Sequence, residues 1–324
     1  MILSIIFLVV GLVLILGGAN FLTDGASAIA KRMGISDLVV GLTVVAFGTS
    51  APELAISVFS AVNGSSELAV GNVVGSNIFN VLVIIGVTAM VVPMKIQRSV
   101  MINEIPLVIL SSVALVVMSN GPWLDGVPSA VITRVDGLLL LLFFAIFMRY
   151  TFSQAKSAAP SDPAAANASA VPKMPVWRSV LYVVGGLAAL VYGGDRFVAG
   201  ASDIASALGV SEAVIGLTIV ATGTSLPELA TSVAAALKGQ PGIALGNVIG
   251  SNIFNIFMVL GVSATISPLP LGNVGNMDMG VLVGSALMFW VFGWLFGTRT
   301  ITRVEGSVLV LGYIAYVTAL VCAL

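Results

Sequence analysis

The chain has 324 residues, of which 58% are hydrophobic and 8% charged, and its formal net charge is −1. This composition excludes a soluble globular domain, and the absence of any basic cluster excludes a nucleic-acid-binding protein. Histidine is absent and Cys322 is the lone cysteine, so neither a soft-metal site nor a disulfide framework is expected. Oxygen ligands remain, and these suit hard cations.

Apolar stretches of about 20 residues recur along the chain, which is the length a helix needs to cross a bilayer core. The pattern predicts an all-α polytopic membrane protein with ten transmembrane helices. The spans are predicted at about 2–29, 38–62, 69–92, 100–119, 135–150, 179–202, 213–237, 243–267, 279–297 and 305–323. The first lacks a basic start and an A-x-A cleavage signal, so we interpret it as a helix and not as a removed signal peptide.

One long segment of the sequence occurs twice. Residues 41–93 align without a gap with residues 216–268, at a constant offset of 228 − 53 = 175 positions that relates Glu228 to Glu53. Each copy brings one carboxylate, several hydroxyls and a few amides into apolar sequence. A buried charge that appears twice in this way predicts an ion site built from both copies.

The duplication also predicts how the chain is organised. Residues 1–150 and 179–324 each hold five predicted spans, joined by a linker at 151–178. Because five is odd, the second copy enters the membrane upside-down relative to the first, which gives two inverted five-helix repeats. The linker contains four prolines and one acid, Asp162, so a mobile tether is favoured over a regulatory calcium site.

Basic residues predict the orientation of the chain. If the N-terminus lies outside, 11 of the 13 lysines and arginines fall on the cytoplasmic side, and Arg134 and Arg196 fall outside. The positive-inside rule then places both termini outside and the linker in the cytoplasm, with the protein in the plasma (inner) membrane.

The first motif of the repeat places a proline and a glutamate inside a predicted span, as GTSAPE ending at Glu53 and GTSLPE ending at Glu228. Pro52 and Pro227 each leave a carbonyl one turn earlier without its helical partner, and a cation can take that place. A simple packing kink is the alternative for the prolines. However, an acid at a helix centre costs about 2.5–3.5 kcal/mol, and no lysine or arginine lies deep in a span. The two glutamates therefore predict a site for a cation or a proton.

The second motif follows in the next span, as GNVVGSNIFN (71–80) and GNVIGSNIFN (246–255). Its polar residues recur every four positions and share a helix face. Helix packing through glycine, with amides as interhelical hydrogen bonds, is an equal alternative for Asn72 and Asn247. The predicted ligands lie further into the spans: Ser76, Asn80, Ser251 and Asn255.

The paired GTSxPE and GNxxGSNxxN blocks resemble the two alpha-repeats of the calcium/cation antiporter superfamily, and the chain is most similar to its prokaryotic sodium/calcium exchangers. The resemblance covers nearly the whole chain apart from the linker. It implies that the four motif-bearing helices form a core with ion sites at the membrane midplane. It also implies that the first and sixth spans slide over this core; these contain Gly17, Gly18, Gly193 and Gly194.

The resemblance further implies which residues bind which ion. Glu53 and Glu228 would share Ca²⁺, with help from the carbonyl oxygens of Thr49 and Thr224. The implied sodium ligands are the hydroxyls of Ser50, Ser76, Ser225 and Ser251 and the carbonyls of Ala46 and Ala221. Asn80 and Asn255 would line the central position. Some relatives carry aspartate at the position of Asn255, so the asparagine here leaves two midplane carboxylates, which speaks against potassium coupling.

The sequence therefore predicts an antiporter that exchanges Ca²⁺ for Na⁺ by alternating access. Two carboxylates supply the charge that one Ca²⁺ neutralises. Ions that need the same glutamates cannot bind together, so they must be carried in opposite directions during the transport cycle. A H⁺-driven Ca²⁺ antiporter is the alternative, because a buried carboxylate can be protonated. A passive cation channel is a third interpretation, which the inverted repeats disfavour. No enzymatic activity, cofactor, nucleic acid or obligate protein partner is expected; the expected partners are Ca²⁺, Na⁺ and the lipid bilayer.

Overall fold

The computed structural model describes residues 2–64, 66–124, 126, 129–157, 174–209, 221–272, 274–295 and 299–323. These ranges are helical apart from short connections and two small antiparallel ladders. The helices before residue 158 are α1 (Ile2–Met33), α2 (Asp37–Thr49, π-helical at Gly41–Val45), α3 (Ala51–Val62), α4 (Ser66–Phe79, continued by π-helical Asn80–Ile85 and by Gly86–Val91), α5 (π-helical Val100–Glu104, then Ile105–Ser119), α6 (Gly121–Leu124) and α7 (Arg134–Ser157). The later helices are α8 (Val176–Ala207), α9 (Ala221–Gly223), α10 (Leu226–Leu237), α11 (Pro241–Ile253, continued by π-helical Phe254–Leu260 and by Gly261–Ile266), α12 (Asn276–Trp294) and α13 (Arg303–Ala323). The strands are β1 (Met94–Lys95), β2 (Val131–Ile132), β3 (Leu269–Pro270) and β4 (Thr300–Ile301).

Within the described ranges, eight helices are long and apolar enough to cross a membrane, or nine if α2 and α3 count as one span broken at Ser50. The prediction of an all-helical polytopic membrane protein is confirmed. The span predicted at 213–237 falls partly on residues 210–220, which lie outside the described residues, and its described part is α9 and α10. The ten-helix count and the two inverted repeats stay predictions.

Helices extend into both ends of the segment 151–178 that the sequence predicted as a linker. Helix α7 continues to Ser157, and α8 begins at Val176 with Pro175 at its N-cap. The segment Thr151–Ser157 is polar but has no proline or glycine, so nothing in it breaks the backbone hydrogen bonds of the helix. The rest of the linker, residues 158–173 with Asp162, lies outside the described residues.

The chain divides into two compact units, Met1–Thr49 with Ile146–Asn247 and Ser50–Ala145 with Val248–Leu324. In the first unit, the two 32-residue helices α1 and α8 run antiparallel with their backbones in contact. A Cβ added to Gly18 would lie 2.8 Å from the carbonyl oxygen of Gly186, and one added to Gly11 would lie 2.7 Å from that of Gly193. Glycines seven residues apart lie on the same helix face after two turns, so each helix presents a row without side chains.

The remainder of the first unit packs around this helix pair. Helix α10 lies against α1, and Lys238 just beyond α10 forms a 2.7 Å ion pair with Asp24. Helix α2 meets the start of α11 at another pair of glycines, where a Cβ on Gly41 would lie 2.9 Å from the Cα of Gly246. Close backbone approach at glycines thus occurs in at least two helix pairs of this unit.

In the second unit, α3 packs on α4, α13 packs on the π-helical and C-terminal parts of α4, and α12 packs on α5. Strand β1 pairs with β4 and β2 pairs with β3, which ties helix ends together outside the helical core. The middle of α4 and of α11 is almost fully enclosed, as Ile78, Ile84 and Val259 are each 0% exposed. Apolar side chains on α13 such as Leu311 are exposed, as expected for a face that contacts lipid.

Candidate cation site

The helix that carries each glutamate starts immediately after the motif serine. Ser50 (φ −87°, ψ 8°) precedes α3, and Ser225 (φ −91°, ψ 4°) precedes α10. Proline occupies the first turn of both helices, where a missing N–H costs no hydrogen bond. The sequence predicted a proline effect here, and the structure shows a new helix start at each position. Glu53 and Glu228 lie in these first turns, where the positive end of the helix dipole favours a negative charge.

In the second unit, Glu53 is 1% exposed, and its helix is bound to α4 by one amide. The Nδ2 of Asn72 donates to the Glu53 carbonyl at 3.4 Å and to the Ser57 hydroxyl at 3.2 Å. The Ser50 hydroxyl donates to that of Ser251 at 2.9 Å, so predicted sodium ligands from both motif copies meet. Carboxylate, hydroxyl and amide groups of the two motifs therefore share one buried region of this unit.

In the first unit, Glu228 is likewise 1% exposed and belongs to a matching arrangement. The Nδ2 of Asn247 donates to the Glu228 carbonyl at 3.3 Å and to the Ser232 hydroxyl at 3.0 Å. The Thr49 hydroxyl donates to the Oδ1 of Asn247 at 3.1 Å. Asn72 and Asn247 thus act as interhelical hydrogen-bond donors, the alternative that the sequence had left open for them.

The remaining predicted carbonyl ligands lie close to these groups along the chain. Ala46 is fully buried in the last turn of α2, three residues before Thr49. Ala221 begins the short helix α9, which ends just before Thr224.

Several side-chain oxygens of the two motifs are buried without a hydrogen-bond partner in the part of the chain that the structure describes. They are Ser76 Oγ, Asn80 Oδ1 and Asn255 Oδ1 in the second unit, and Thr224 Oγ1 and Ser225 Oγ in the first. Leaving a buried hydrogen-bond acceptor unsatisfied costs about 1–3 kcal/mol, so a bound ion or water that contacts these atoms would be stabilising. All five are oxygens, the donor type that a hard cation prefers.

The acids alone do not form a metal cage. Among the described residues, no three His, Cys, Asp or Glu side chains cluster closely enough to hold a metal ion. A cation bound here would therefore need hydroxyl, amide and carbonyl oxygens beside a carboxylate, which is a donor set that suits Ca²⁺ or Na⁺ better than a transition metal.

Comparison with known proteins shows the family of this chain. The family model described as sodium/calcium exchanger protein matches residues 3–153 and 178–322. The chain belongs to the sodium/calcium exchanger family. It is 40% identical to the putative antiporter CaxA of Alkalimonas amylolytica, over 98% of each chain. It is 33% identical to the sodium/calcium exchanger MaX1 of Methanosarcina acetivorans, again over 98% of each.

The fold of this exchanger-family chain is also that of a solved exchanger structure. The sodium-calcium exchanger NCX_Mj superposes with a TM-score of 0.83 at 33% identity, over 98% of this chain and 99% of that one. The superfamily identified from the sequence motifs is therefore confirmed. The relatives are named as exchangers or antiporters and not as enzymes, and the chain is accordingly a membrane cation antiporter.

Two buried residues of this sodium/calcium exchanger homologue were missed by sequence reasoning. Asn77 and Asn252 are each 1% exposed and make hydrogen bonds to the predicted ligands Asn255 and Asn80. Neither lies on the four-residue stripe from which the ligands were chosen. One signal was present, because the letters SNxxN are identical in both copies of the motif.

Proposed function

We propose that the chain exchanges Ca²⁺ for Na⁺ across the membrane by alternating access. The observation that carries the proposal is that several side-chain oxygens of the two motifs are buried without a hydrogen-bond partner among the described residues, namely those of Ser76, Asn80, Thr224, Ser225 and Asn255. The named substrates of MaX1 and NCX_Mj support the same ions. Glu53 and Glu228 would share the Ca²⁺, together with the carbonyls of Thr49 and Thr224.

The sodium ligands in this proposal are the neutral oxygens of the site. They are the hydroxyls of Ser50, Ser76, Ser225 and Ser251 and the carbonyls of Ala46 and Ala221, with Asn80 and Asn255 at the central position. Two carboxylates balance one Ca²⁺, and sodium can occupy the hydroxyl-rich positions once Ca²⁺ has left. Competition for the same glutamates makes simultaneous binding unfavourable, so the ions are carried in opposite directions.

The proposed architecture has ten spans in two inverted five-helix repeats, 1–150 and 179–324, with the motif segments 41–93 and 216–268 at its centre. The constant offset between the motif segments supports the duplication. Both termini would lie outside the plasma (inner) membrane and the linker inside, as the distribution of lysine and arginine favours. The proposal includes no cofactor and no obligate protein partner.

Proton coupling is the competing function, because buried carboxylates such as Glu53 and Glu228 can take up protons. Everted membrane vesicles that contain the protein would separate the two. With Na⁺ loaded inside, we expect ⁴⁵Ca²⁺ uptake when the outside is free of Na⁺, and no uptake when choline replaces the internal Na⁺. Uptake that follows a pH gradient and ignores Na⁺ would establish the proton-coupled alternative, and flux without any counter-ion would indicate a channel.

Substitution of the motif serines is expected to affect Na⁺ more than Ca²⁺. Ser76→Ala removes a buried oxygen that has no hydrogen-bond partner among the described residues, so it should leave the fold intact. We expect the Na⁺ concentration for half-maximal exchange to rise roughly tenfold, since outer contacts of metal sites are already worth about 10–100-fold in affinity. Ser251→Ala should act in the same direction. Na⁺ titration of Ca²⁺ flux measures the effect.

Ser112→Ala is the matched control for this experiment. Its hydroxyl is equally buried but donates to the Val108 carbonyl of its own helix, and Ser112 belongs to neither motif. This variant should retain the Na⁺ dependence of the native protein. An unchanged Na⁺ titration in Ser76→Ala would remove Ser76 from the proposed sodium ligands.

A further inference from the structure

Four asparagines of the second unit form a reciprocal hydrogen-bond network. The Nδ2 of Asn80 donates to the Oδ1 of Asn252 at 3.2 Å, and the Nδ2 of Asn255 donates to the Oδ1 of Asn77 at 3.0 Å. The two contacts correspond, because 80 + 175 = 255 and 77 + 175 = 252 in the sequence. All four side chains are 1% exposed.

The network determines which end of each ligand amide faces away from it. An asparagine side chain has an acceptor oxygen and a donor NH₂ group. In Asn80 and in Asn255 the NH₂ group is bound to the other motif copy. The Oδ1 of each is the end left without a partner among the described residues. An amide held in this way presents oxygen, the end that binds a cation.

We infer that Asn77 and Asn252 are positioning residues, which hold the amide oxygens of Asn255 and Asn80 toward the transported cation. The inference rests on the proposed function for the identity of that cation, but the hydrogen bonds that carry it belong to the structure alone. Neither residue needs to touch the ion, because each acts through the amide that it binds.

The orientation of Asn77 is itself fixed. Its Nδ2 donates to the backbone carbonyl of Asn252 at 3.1 Å, beside the π-helical turn that begins at Phe254. A backbone carbonyl only accepts, so the Oδ1 of Asn77 must be the end that faces residue 255. It requires a donor there, which an asparagine supplies and an ionised aspartate does not. This constraint gives a structural reason for the neutral residue at position 255.

The alternative role for these asparagines is to hold α4 and α11 together without influence on the ion. A double-mutant cycle distinguishes the two roles, because residues that act through one another give non-additive effects. The variants are Asn77→Ala, Asn255→Ala and both together, and the control cycle combines Asn77→Ala with Ser76→Ala, whose hydroxyl makes no hydrogen bond to the network among the described residues. Each is reconstituted in vesicles, and ⁴⁵Ca²⁺ flux is titrated with Na⁺ and with Ca²⁺.

We expect Asn77→Ala to raise, by about tenfold, the half-saturating concentration of the ion proposed to bind at the central position beside Asn80 and Asn255. This is the range known for outer-shell partners of metal sites. The maximal rate of exchange should be nearly unchanged. Added to Asn255→Ala, it should change that concentration less than twofold. With Ser76→Ala the effects should multiply. Asn252→Ala should show the same dependence on Asn80 that Asn77→Ala shows on Asn255.

A lower maximal rate with unchanged ion affinities, accompanied by a lower thermal unfolding temperature in detergent, would overturn the inference and leave a structural role. So would multiplying effects in the Asn77 and Asn255 cycle. If Asn77→Ala does not fold, Asn77→Ser keeps a polar group but is too short to reach Asn255, and takes its place. The native protein tests the proposed function separately: should its Ca²⁺ flux prove to be driven by protons, the same cycle is measured by Ca²⁺ titration of that flux.

Discussion

Replacement of Glu53 or Glu228 by glutamine is expected to lower Ca²⁺ transport by about 100-fold or more. Each change removes one of the two charges proposed to neutralise Ca²⁺, and outer partners of metal sites alone are worth about 10–100-fold in affinity. Glutamine keeps the shape of the side chain, and both positions are buried, so the helices around them should stay in place. Initial rates of ⁴⁵Ca²⁺ uptake into Na⁺-loaded vesicles measure the effect.

The comparison variant is Asp195→Asn, which also removes one carboxylate but on the surface. Asp195 pairs with its neighbour Arg196 and its side chain is 62% exposed. Transport by this variant should remain within about twofold of the native rate, since an exposed pair contributes little energy. Normal exchange by a folded Glu53→Gln or Glu228→Gln protein would disprove the shared calcium site. A monodisperse elution profile in detergent establishes that each variant is folded.

The second large effect is expected at the contact between α1 and α8. Gly18→Ala would place its Cβ 2.8 Å from the Gly186 carbonyl oxygen and 2.9 Å from the Leu190 nitrogen. Both neighbours are backbone atoms, so the helices must separate. Overpacking of this kind costs about 1–3 kcal/mol. We expect a lower thermal unfolding temperature in detergent and a loss of transport that follows it.

The adjacent residue supplies a matched control on the same helix. A Cβ at Gly17 would meet no atom within 4 Å, so Gly17→Ala should be neutral or slightly stabilising, because alanine favours a helix. The pair Gly185 and Gly186 offers the same contrast on α8. Equal effects at Gly17 and Gly18 would show that helix propensity, and not backbone contact, determines the result.

The parts of the fold that depend on local chemistry could be predicted from the sequence. Long apolar stretches predicted the helices, and Pro52 and Pro227 lie where new helices begin within a span. The buried polar groups of both motifs were also foreseen, because serine, asparagine and glutamate in an apolar helix need a partner. These signals lie within a few residues of one another.

The features that depend on distant neighbours could not be predicted. The π-helical turns at Asn80–Ile85 and Phe254–Leu260 carry no distinctive composition, and the short ladders of β1 with β4 and β2 with β3 join residues far apart in the chain. Among the glycines, Gly18 and Gly193 make the helix contact, whereas Gly17 faces open space. Counting glycines in a span cannot tell these apart, because the difference lies in where the second helix passes.

The contact between α1 and α8 has the form of an isologous interface, in which two copies of one surface meet about a two-fold axis. A shift of 175 residues turns the contact of Gly11 with Gly193 into that of Gly186 with Gly18, and the contact of Gly25 with Ser179 into that of Gly200 with Ser4. If the two halves were separate identical chains that form a dimer, each substitution would change both members of such a pair. In one continuous chain each member changes alone. The two halves can therefore diverge one contact at a time, so that one half can change while its counterpart in the other half keeps its residue.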